Sequence, residues 1–237
     1  MHRNLMLIGA SGHGKVVTDI AKCTGRYESI AFLDDDLSLQ DSMGFPVVGG
    51  SGDAYQYVAS CELFVAIGNA ETRKRLMEQL QAMGAEVPVL IHPKAVIGAN
   101  VSIGAGSVIM AGAVINPDTR IGQGCIVNTC ASIDHDCVIR DYVHVSVGAH
   151  LAGAVSVGNN TWVGAGAVIK NNVDLCSNCM VGMGAVVVKN IGMPGTYIGV
   201  PAKEVDNMSK KLQENVWGGK TLSRKGMLVV SSVLCTR

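Results

Sequence analysis

The middle of this chain repeats every six residues. Every sixth residue from Ile91 to Val187 is Ile, Leu or Val. Four residues after each of these positions, from Ala95 to Ala185, the chain carries Ala, Ser, Thr, Cys or Val. A six-residue period fits neither the α-helix nor the alternation of a hairpin strand. It is typical of a solenoid, in which short repeats stack on their neighbours and bury one continuous core.

The repeat predicts a three-sided prism with three six-residue units, or about 18 residues, in each coil. The aliphatic residue of each unit points inward, and the small residue also points inward near a corner, where space is short. Stacked coils would form parallel strands about 4.8 Å apart, hydrogen-bonded to the coils on either side. The phase does not slip between residues 91 and 187, which predicts about five and a half coils without long inserted loops.

Residues 1–90 have a different pattern, in which apolar strands alternate with amphipathic helices. The predicted elements are strands at Leu5–Ile8, Ile30–Leu33 and Leu63–Gly68, a helix that includes Val16 to Ala21, and a helix over Glu71–Ala82. This alternation predicts a small parallel α/β sheet of the Rossmann-like kind. Ligands of such sheets bind at the carboxyl ends of the strands, which here carry Gly9–Gly14, Asp34–Asp35 and Gly68–Asn69.

The glycine loop Gly9–Lys15 has several interpretations. As a phosphate loop it would have Val16 where Ser or Thr must bind magnesium. It also approximates a dinucleotide fingerprint with an acidic residue about 20–25 residues further on, and it could be a tight turn that binds nothing. The favoured interpretation is a nucleotide-sugar cradle, in which amides at the helix N-terminus face a diphosphate and an aspartate accepts hydrogen bonds from a base or ribose.

Polar residues stand on the outside of the predicted prism. His135 and Asp136 follow the inward Ile133 and therefore lie at a corner. Gly153 follows His135 by one full coil of three repeat units, so the stacking of coils places it beside the histidine. Asn128 and His144 also face outward. A corner histidine with an acid next to it and a glycine stacked on it leaves room for a ligand.

These groups suit the transfer of an acyl group from a thioester to an amine. Histidine can take the amine proton near neutral pH, a carboxylate such as Asp136 can hold its tautomer, and a backbone N–H near Gly153 can bind the developing oxyanion. Cys125, Cys137 and Cys179 occupy the small inward slot, which indicates packing rather than nucleophilic chemistry. Cys176 and Cys179 form a CxxC without a second pair at metal spacing, so we expect no metal.

Charge and composition exclude some classes of binding partner and indicate a cellular location. Lys plus Arg number 19 and Asp plus Glu number 19, which argues against nucleic acid or an anionic membrane as a partner. The sequence has no apolar run of about 18 residues, so we expect no membrane span. Without a secretory pattern after Met1 or a dense cysteine framework, we expect a cytoplasmic protein.

The chain resembles the hexapeptide acyltransferases, specifically the sugar acetyltransferases of sialic-acid and bacillosamine pathways, over about residues 4–203. The motifs that carry the resemblance are Gly9-Ala10-Ser11-Gly12-His13-Gly14-Lys15, Phe32-Leu33-Asp34-Asp35, Ala66-Ile67-Gly68-Asn69, His92-Pro93, Asn128-Thr129, Ile133-Asp134-His135-Asp136-Cys137, His144-Val145-Ser146, Ala152-Gly153 and Gly199-Val200-Pro201-Ala202-Lys203. The resemblance implies a left-handed parallel β-helix and a homotrimer with active sites between neighbouring prisms. It also implies acetyl-CoA as co-substrate and N-acetylation of a nucleotide-linked 4-amino-deoxy sugar for bacterial surface glycans.

The resemblance also implies roles for individual residues. It makes His135 the general base and Asp136 its support, although some relatives carry Glu at the position of Asp136. The residues implied for the nucleotide sugar are Ser11, Gly12, His13, Asp34, Asp35, Gly68, Asn69, Asn128 and His144. Those implied for acetyl-CoA are His144, Gly153, Ala165, Gly182, Pro201 and Lys203.

We predict three segments, which are a nucleotide-sugar-binding domain at 1–90, the acetyltransferase solenoid at 91–203 and an extension at 204–237. In the extension, Val205 to Trp217 could form a capping helix, and 218–237 has no assigned role. One alternative function is O-acetylation of a sialic-acid-like sugar, and another is a non-catalytic subunit that binds sugar nucleotides. A metal-dependent hydratase would need three histidines, for which His135, His144 and His150 are available.

Overall fold

The computed structural model describes residues 3–36 and 38–205. The helix predicted over 205–217 lies outside the described residues except for Val205 itself. The segment 218–237, to which the sequence assigned no role, lies outside them entirely.

The N-terminal part is a layered α/β unit. Its elements are β1 (Arg3–Ile8), α1 (Gly12–Thr24), β2 (Tyr27–Leu33), β3 (Asp41–Ser42), β4 (Phe45–Pro46), a 3-10 helix at Ser51–Tyr57, β5 (Glu62–Val65) and α2 (Ala70–Ala82). A parallel three-stranded sheet has the order β2-β1-β5. This confirms the predicted small parallel α/β sheet. In the part of the chain that the structure describes, no helix is long and apolar enough to cross a membrane.

The solenoid follows as a series of short strands at six-residue intervals. The strands are β6 (Leu90–Ile91), β7 (Val96–Ile97), β8 (Ser102–Ile103), β9 (Val108–Ile109), β10 (Val114–Ile115), β11 (Arg120–Ile121), β12 (Ile126–Val127), β13 (Ser132–Ile133), β14 (Val138–Ile139), β15 (His144–Val145), β16 (His150–Leu151), β17 (Ser156–Val157), β18 (Trp162–Val163), β19 (Val168–Ile169), β20 (Asp174–Leu175), β21 (Met180–Val181), β22 (Val186–Val187), β23 (Thr196–Ile198) and β24 (Lys203–Glu204).

The strands form three sheets, one for each side of a prism, in which all strands pair parallel except β24, which is antiparallel to β23. We call them the docking face (β6, β9, β12, β15, β18, β21 and β23, with β24 at its end), the second face (β7, β10, β13, β16, β19 and β22) and the third face (β8, β11, β14, β17 and β20). From β6 to β22, each strand pairs with the strand one coil away; for example, Ile126 of β12 lies beside His144 of β15. The predicted parallel β-helix is confirmed, and its left hand remains an implication of the resemblance.

The interior of the prism is filled as the repeat predicts. Ile133 and Val145 are fully buried, and the small residues Ala131, Cys137 and Ala149 are equally buried beside them. Aliphatic side chains on the inside of every coil make one continuous core, which provides the hydrophobic stabilisation of the stack.

The corners of the prism turn through residues in the left-handed backbone region. Asn100, Asp118 and Asp136 have φ of 58°, 62° and 59°, and Asn160 and Asn178 take the same conformation at another corner. Asn and Asp enter this region more readily than other residues with a side chain. The corners therefore accept polar side chains that project away from the core, and Asp136 is one of them.

The α/β unit packs against the docking face. The outward residues of the first three docking strands are Leu90, Val108 and Ile126, and all three are buried together with Leu5 and Val17 of the α/β unit. Residues 3–204 accordingly belong to one compact unit. The domain boundary that we placed at residue 90 stays a prediction.

We expect Ile133→Ala to reduce the free energy of unfolding by about 2–5 kcal/mol, because it leaves a cavity in the middle of the prism. Denaturant unfolding followed by circular dichroism measures this change. Ser102→Ala, on the outside of β8, is the control and should shift the value by less than about 0.5 kcal/mol. Equal effects of the two substitutions would contradict the inward placement of the aliphatic column.

Candidate functional site

The corner between β13 and β14 carries an exposed imidazole–carboxylate pair. His135 Nδ1 lies 2.7 Å from Asp136 Oδ2, and the two side chains are 59% and 61% exposed. The short side chain of Asp136 therefore reaches the ring. With Nδ1–H donating to the carboxylate, Nε2 is left as the basic nitrogen.

A second carboxylate supports the same corner. Asp134 Oδ1 accepts the backbone N–H of His135 at 2.9 Å and the side-chain amide of Asn116 at 2.7 Å. The hydrogen bond to Asp136, together with the nearby charge of Asp134, raises the pKa of His135 above its ordinary value. The hydrogen bonds from Asn116 and from the His135 N–H lower the pKa of Asp134, so it keeps its charge.

Gly153 lies against the His135 ring, as the stacking of successive coils predicts. A Cβ added to Gly153 would stand 2.6 Å from His135 Nε2 and 2.7 Å from Cε1. Both distances are shorter than the van der Waals contacts that Cβ atoms make in proteins. A residue with a side chain at this position would therefore displace the ring. The absence of a side chain at Gly153 thus leaves the space that the basic nitrogen of His135 occupies.

A second group of residues with polar atoms lies on the docking face, just beyond Ile126, where the buried part of the apolar outward column ends. His144 is the outward residue of β15, one coil after Ile126, and its ring stacks on Trp162 with centroids 4.9 Å apart. The side-chain amide of Asn128 donates to His144 Nε2 at 3.2 Å. The sequence placed His144 outside the prism, and this is so. The ring is nevertheless largely covered, because the α/β unit packs on the same face.

Two histidines of this region are held neutral. Burial and the nearby charge of Arg73 lower the pKa of His13 to about 4. Burial, Arg73 and His13 lower the pKa of His144 to about 3. His13 Nε2 and His144 Nδ1 are buried and have no hydrogen-bond partner among the described residues. Such orphaned ring nitrogens are free to bind a polar ligand group or an ordered water.

The glycine loop leads into α1 and shapes the edge of the α/β unit. A Cβ at Gly14 would meet the Gly9 carbonyl oxygen at 2.1 Å, so the loop folds back tightly on itself. Ser11 and Gly12 are exposed at the start of α1. The first N–H groups of a helix have no intrahelical partner and can bind an anion.

The two aspartates after β2 hold loops. Asp34 Oδ2 accepts the N–H of Ala10 at 2.7 Å and its Oδ1 accepts the N–H of Asp36. Asp35 accepts the backbone N–H and the hydroxyl of Ser51. Both carboxylates therefore shape the edge where a ligand was predicted, and a base or ribose would have to share them with these internal donors.

The remaining predicted residues lie at separate places. Gly68 and Asn69 form the loop before α2, where the Asn69 side chain accepts the N–H of Thr72 at 2.9 Å and caps the helix. Ala165 and Gly182 are half-buried at the corner between the docking and second faces. Pro201 and Lys203 line a cavity of about 330 Å³ at the end of the solenoid.

One chain does not bring all of these residues together. His135 stands at the corner of the second and third faces, His144 projects from the docking face, and His150 projects from the second face. The three histidines of the hydratase alternative therefore lie apart within one chain. Across residues 3–36 and 38–205, no three His, Cys, Asp or Glu residues are grouped to hold a metal ion.

Three contributors to the site were not predicted from the sequence. Asp134 lies inside a motif of the resemblance but had no predicted role. Trp162 follows His144 by one coil, so the register could have revealed the ring stacking. Arg73 was predicted only to lie in a helix, although its spacing with Leu76, Met77 and Leu80 places it on the buried stripe of α2.

Two family models match the chain. Residues 4–80 match the PglD N-terminal domain, and residues 154–189 match the bacterial transferase hexapeptide (six repeats). Among curated proteins, the UDP-N-acetylbacillosamine N-acetyltransferase of Bacillus subtilis (strain 168) is 35% identical over 113 residues, which are 46% of this chain. The matched segment spans about half of that relative, 52% of its length.

Solved structures match more of the chain. The acetyltransferase domain of PglB from Neisseria gonorrhoeae FA1090 in complex with acetyl coenzyme A is 40% identical, with a TM-score of 0.84 over 86% of this chain and 100% of that one. A histidine-to-asparagine mutant of perosamine N-acetyltransferase from Caulobacter crescentus, in complex with CoA and GDP-perosamine, is 35% identical, with a TM-score of 0.83 over 86% and 97% of the two chains.

We expect Asp136→Asn to lower the pKa of His135, because it removes the negatively charged acceptor that favours the imidazolium. Titration of the His135 ring by NMR measures the change. Asp118→Asn is a matched control, since Asp118 occupies the same corner one coil earlier and bonds to Asn100 instead. A His135 pKa that is unchanged in Asp136→Asn would show that the pair does not interact in solution.

Proposed function

Because this chain belongs to the hexapeptide-repeat acetyltransferases that carry a PglD N-terminal domain, we propose that it transfers the acetyl group of acetyl-CoA to the amine of a nucleotide-linked 4-amino-deoxy sugar. The relatives named above support both substrates, since one was solved with acetyl coenzyme A and another with CoA and GDP-perosamine.

The observation that carries this proposal is the geometry of His135. Asp136 holds the Nδ1–H, so Nε2 is available to take a proton, and the raised pKa makes it a stronger base than a free imidazole. As the sugar nitrogen attacks the thioester carbonyl carbon, the C–N bond forms and the nitrogen proton passes to Nε2. The C–S bond then breaks, and the imidazolium returns the proton to the CoA sulfur. No covalent acetyl-enzyme is required.

A backbone N–H beside His135 can stabilise the developing oxyanion. The N–H of Ala154 already donates to the carbonyl of His135 at 2.9 Å. The N–H of Gly153 has no backbone partner in residues 3–36 and 38–205, and it lies next to the ring that accepts the proton. We therefore assign the oxyanion contact to Gly153.

The nucleotide sugar is assigned to the region between α1 and the docking face. The exposed N–H groups at Ser11 and Gly12 suit a diphosphate. His13 at the start of α1 and Asn128 and His144 on the solenoid border this region. The two histidines are neutral, so they can hydrogen-bond to a sugar without competing for its amine proton. Asp34, Asp35, Gly68 and Asn69 border the same edge.

Acetyl-CoA is assigned to the solenoid, and its site needs more than one copy of the chain. His135 and Gly153 share one corner, whereas His144, Ala165 and Gly182 lie on the docking face and at its other corner. Neighbouring copies can join the two corners in one groove, with Pro201 and Lys203 near its end. We therefore propose active sites between protomers.

The second face suits the contact between copies. Its outward residues are Val96, Val114, Ser132, His150, Val168 and Val186, and two of them, Val96 and Val168, are 58% and 39% exposed. The third face instead presents Ser102, Arg120, Val138, Ser156 and Asp174. An apolar face on a repetitive prism favours a closed cyclic assembly, and we propose a homotrimer.

The cytoplasm is the proposed location. The described cysteines are free thiols, as is common in a reducing compartment.

We expect His135→Asn to lower kcat by about 10²–10⁴-fold, because the general base is lost. Release of the CoA thiol with a panel of nucleotide-linked amino sugars measures the reaction. His92→Gln, at the start of the solenoid, is the control. Turnover of a free sialic acid without turnover of the amino sugars would instead establish an O-acetyltransferase. No thioester cleavage by the wild type with any acceptor would favour the binding subunit.

Gly153→Ala tests the placement of the ring. The added methyl group should push the His135 side chain aside and lower kcat by about 10²-fold. The free energy of unfolding should change by less than about 1 kcal/mol, because the displaced ring is exposed and can move. Gly192→Ala is the control, since a Cβ there meets nothing within 4 Å. Full activity of Gly153→Ala would refute the assigned position of Nε2.

A further inference from the structure

We infer that Arg73 is a positioning residue for the reaction proposed above, fixing the loop between β5 and α2 against the solenoid coil that leads into His144. This inference rests on the proposed function for its consequence and on contacts within the chain for its geometry.

The Arg73 guanidinium joins two parts of the molecule. Its NH1 group donates to the carbonyls of Ile67 and Gly68, at 2.9 and 2.8 Å, in the loop before α2. Nε donates to the carbonyl of Gly124 at 2.7 Å, and NH2 donates to the carbonyl of Tyr142 at 3.0 Å. Gly124 and Tyr142 stand one coil apart at the same corner, so one side chain ties the loop to two successive coils.

The environment of this side chain is unusual for an arginine. Arg73 is 1% exposed, and no carboxylate within residues 3–36 and 38–205 pairs with it. Carbonyl dipoles alone solvate the charge, and burial lowers the pKa of Arg73 to about 10, so it remains a cation at neutral pH. A buried unpaired charge is costly, and stability alone would be served as well by an apolar residue on this stripe of α2.

The carbonyls that Arg73 holds lie next to residues assigned to the nucleotide-sugar site. Tyr142, whose carbonyl Arg73 holds, comes two residues before His144, and Gly68, whose carbonyl it also holds, precedes Asn69. Arg73 thus fixes the distance between a loop assigned to the nucleotide sugar and a histidine assigned to the same substrate. A rigid separation of this kind is what pre-organises a binding site.

The same cation acts on the two orphaned histidines. The groups that face His144 are Arg73 from α2, His13 from α1 and Asn128 and Trp162 from the solenoid, and Glu71 of α2 lines the cavity beside it. Arg73 and His144 are likewise the charged or titratable neighbours of His13. The charge of Arg73, with which no carboxylate pairs among the described residues, opposes protonation of both rings and favours an anionic substrate over a cationic one.

Two substitutions separate geometry from charge. Arg73→Lys keeps the charge, but an ammonium cannot reproduce the forked contacts to four carbonyls. Arg73→Met removes both the contacts and the charge. Arg75→Met, on the exposed side of the same helix, is the matched control. The measurements are the KM for the nucleotide sugar, the pH dependence of kcat, and NMR titration of the His13 and His144 rings.

We expect Arg73→Lys and Arg73→Met each to raise the KM for the nucleotide sugar by about tenfold or more, as the loss of charge-assisted hydrogen bonds implies. The pH dependence of kcat, which His135 governs, should stay that of the wild type. In Arg73→Lys, which keeps the positive charge, the pKa values of His13 and His144 should stay low. In Arg73→Met, which removes the charge, both pKa values should rise above those of the wild type.

A wild-type KM in Arg73→Lys would overturn the inference, and that result does not depend on whether Arg73→Met folds. Unchanged titration of both rings in a folded Arg73→Met would overturn the electrostatic part. If the wild type transfers no acetyl group, the proposed function fails, yet the NMR titration and calorimetric binding of the nucleotide sugar still test Arg73.

Discussion

Stacking of aliphatic side chains inside the prism is the constraint on which the rest of the structure depends. Every coil must use three complete repeat units to keep this column filled, and a coil of any other length would carry an inward residue to the outside. The same register therefore arranges the outer surface. It sets Gly153 beside His135 and stacks Trp162 on His144, and it brings the Asn116 amide to Asp134. The apolar interior thus determines the polar geometry outside it.

Packing of the α/β unit on the docking face creates a buried environment on a solenoid whose corner histidine, His135, is exposed. The buried apolar residues in the outward column of the docking face end at Ile126, and the next residue in that column is His144, so the histidine lies at the margin of a buried interface. Two histidines of one solenoid consequently behave in opposite ways. Asp136 and Asp134 raise the pKa of the exposed His135, whereas burial lowers the pKa of His144 to about 3. The first suits proton transfer and the second suits neutral hydrogen bonding.

The predicted site residues of one chain lie at different corners of the prism, which is the physical reason for proposing an assembly of several copies. A straight prism cannot bend to bring His135 onto the docking face of its own chain, because every coil is locked to its neighbours by parallel hydrogen bonds. In the proposed assembly, a second copy would supply the missing wall of the active site without deforming either prism. The other predicted site residues lie in loops of the α/β unit, where Asp34, Asp35 and Asn69 hold the backbone through hydrogen bonds. Arg73 fixes one of these loops to the solenoid.

The sequence by itself determined the prism, the inward residues and the corner position of His135, because a six-residue period predicts a three-sided coil and its phase assigns each side chain a direction. It also placed Gly153 and Asp136 beside that ring. Tertiary structure alone decided how deeply His144 is covered, that Asp34 accepts the N–H of Ala10 from the glycine loop, and that Arg73 is buried among four carbonyls. Those outcomes depend on how a non-repeating unit packs against a repeating one, and periodicity contains no information about contacts between elements of different period.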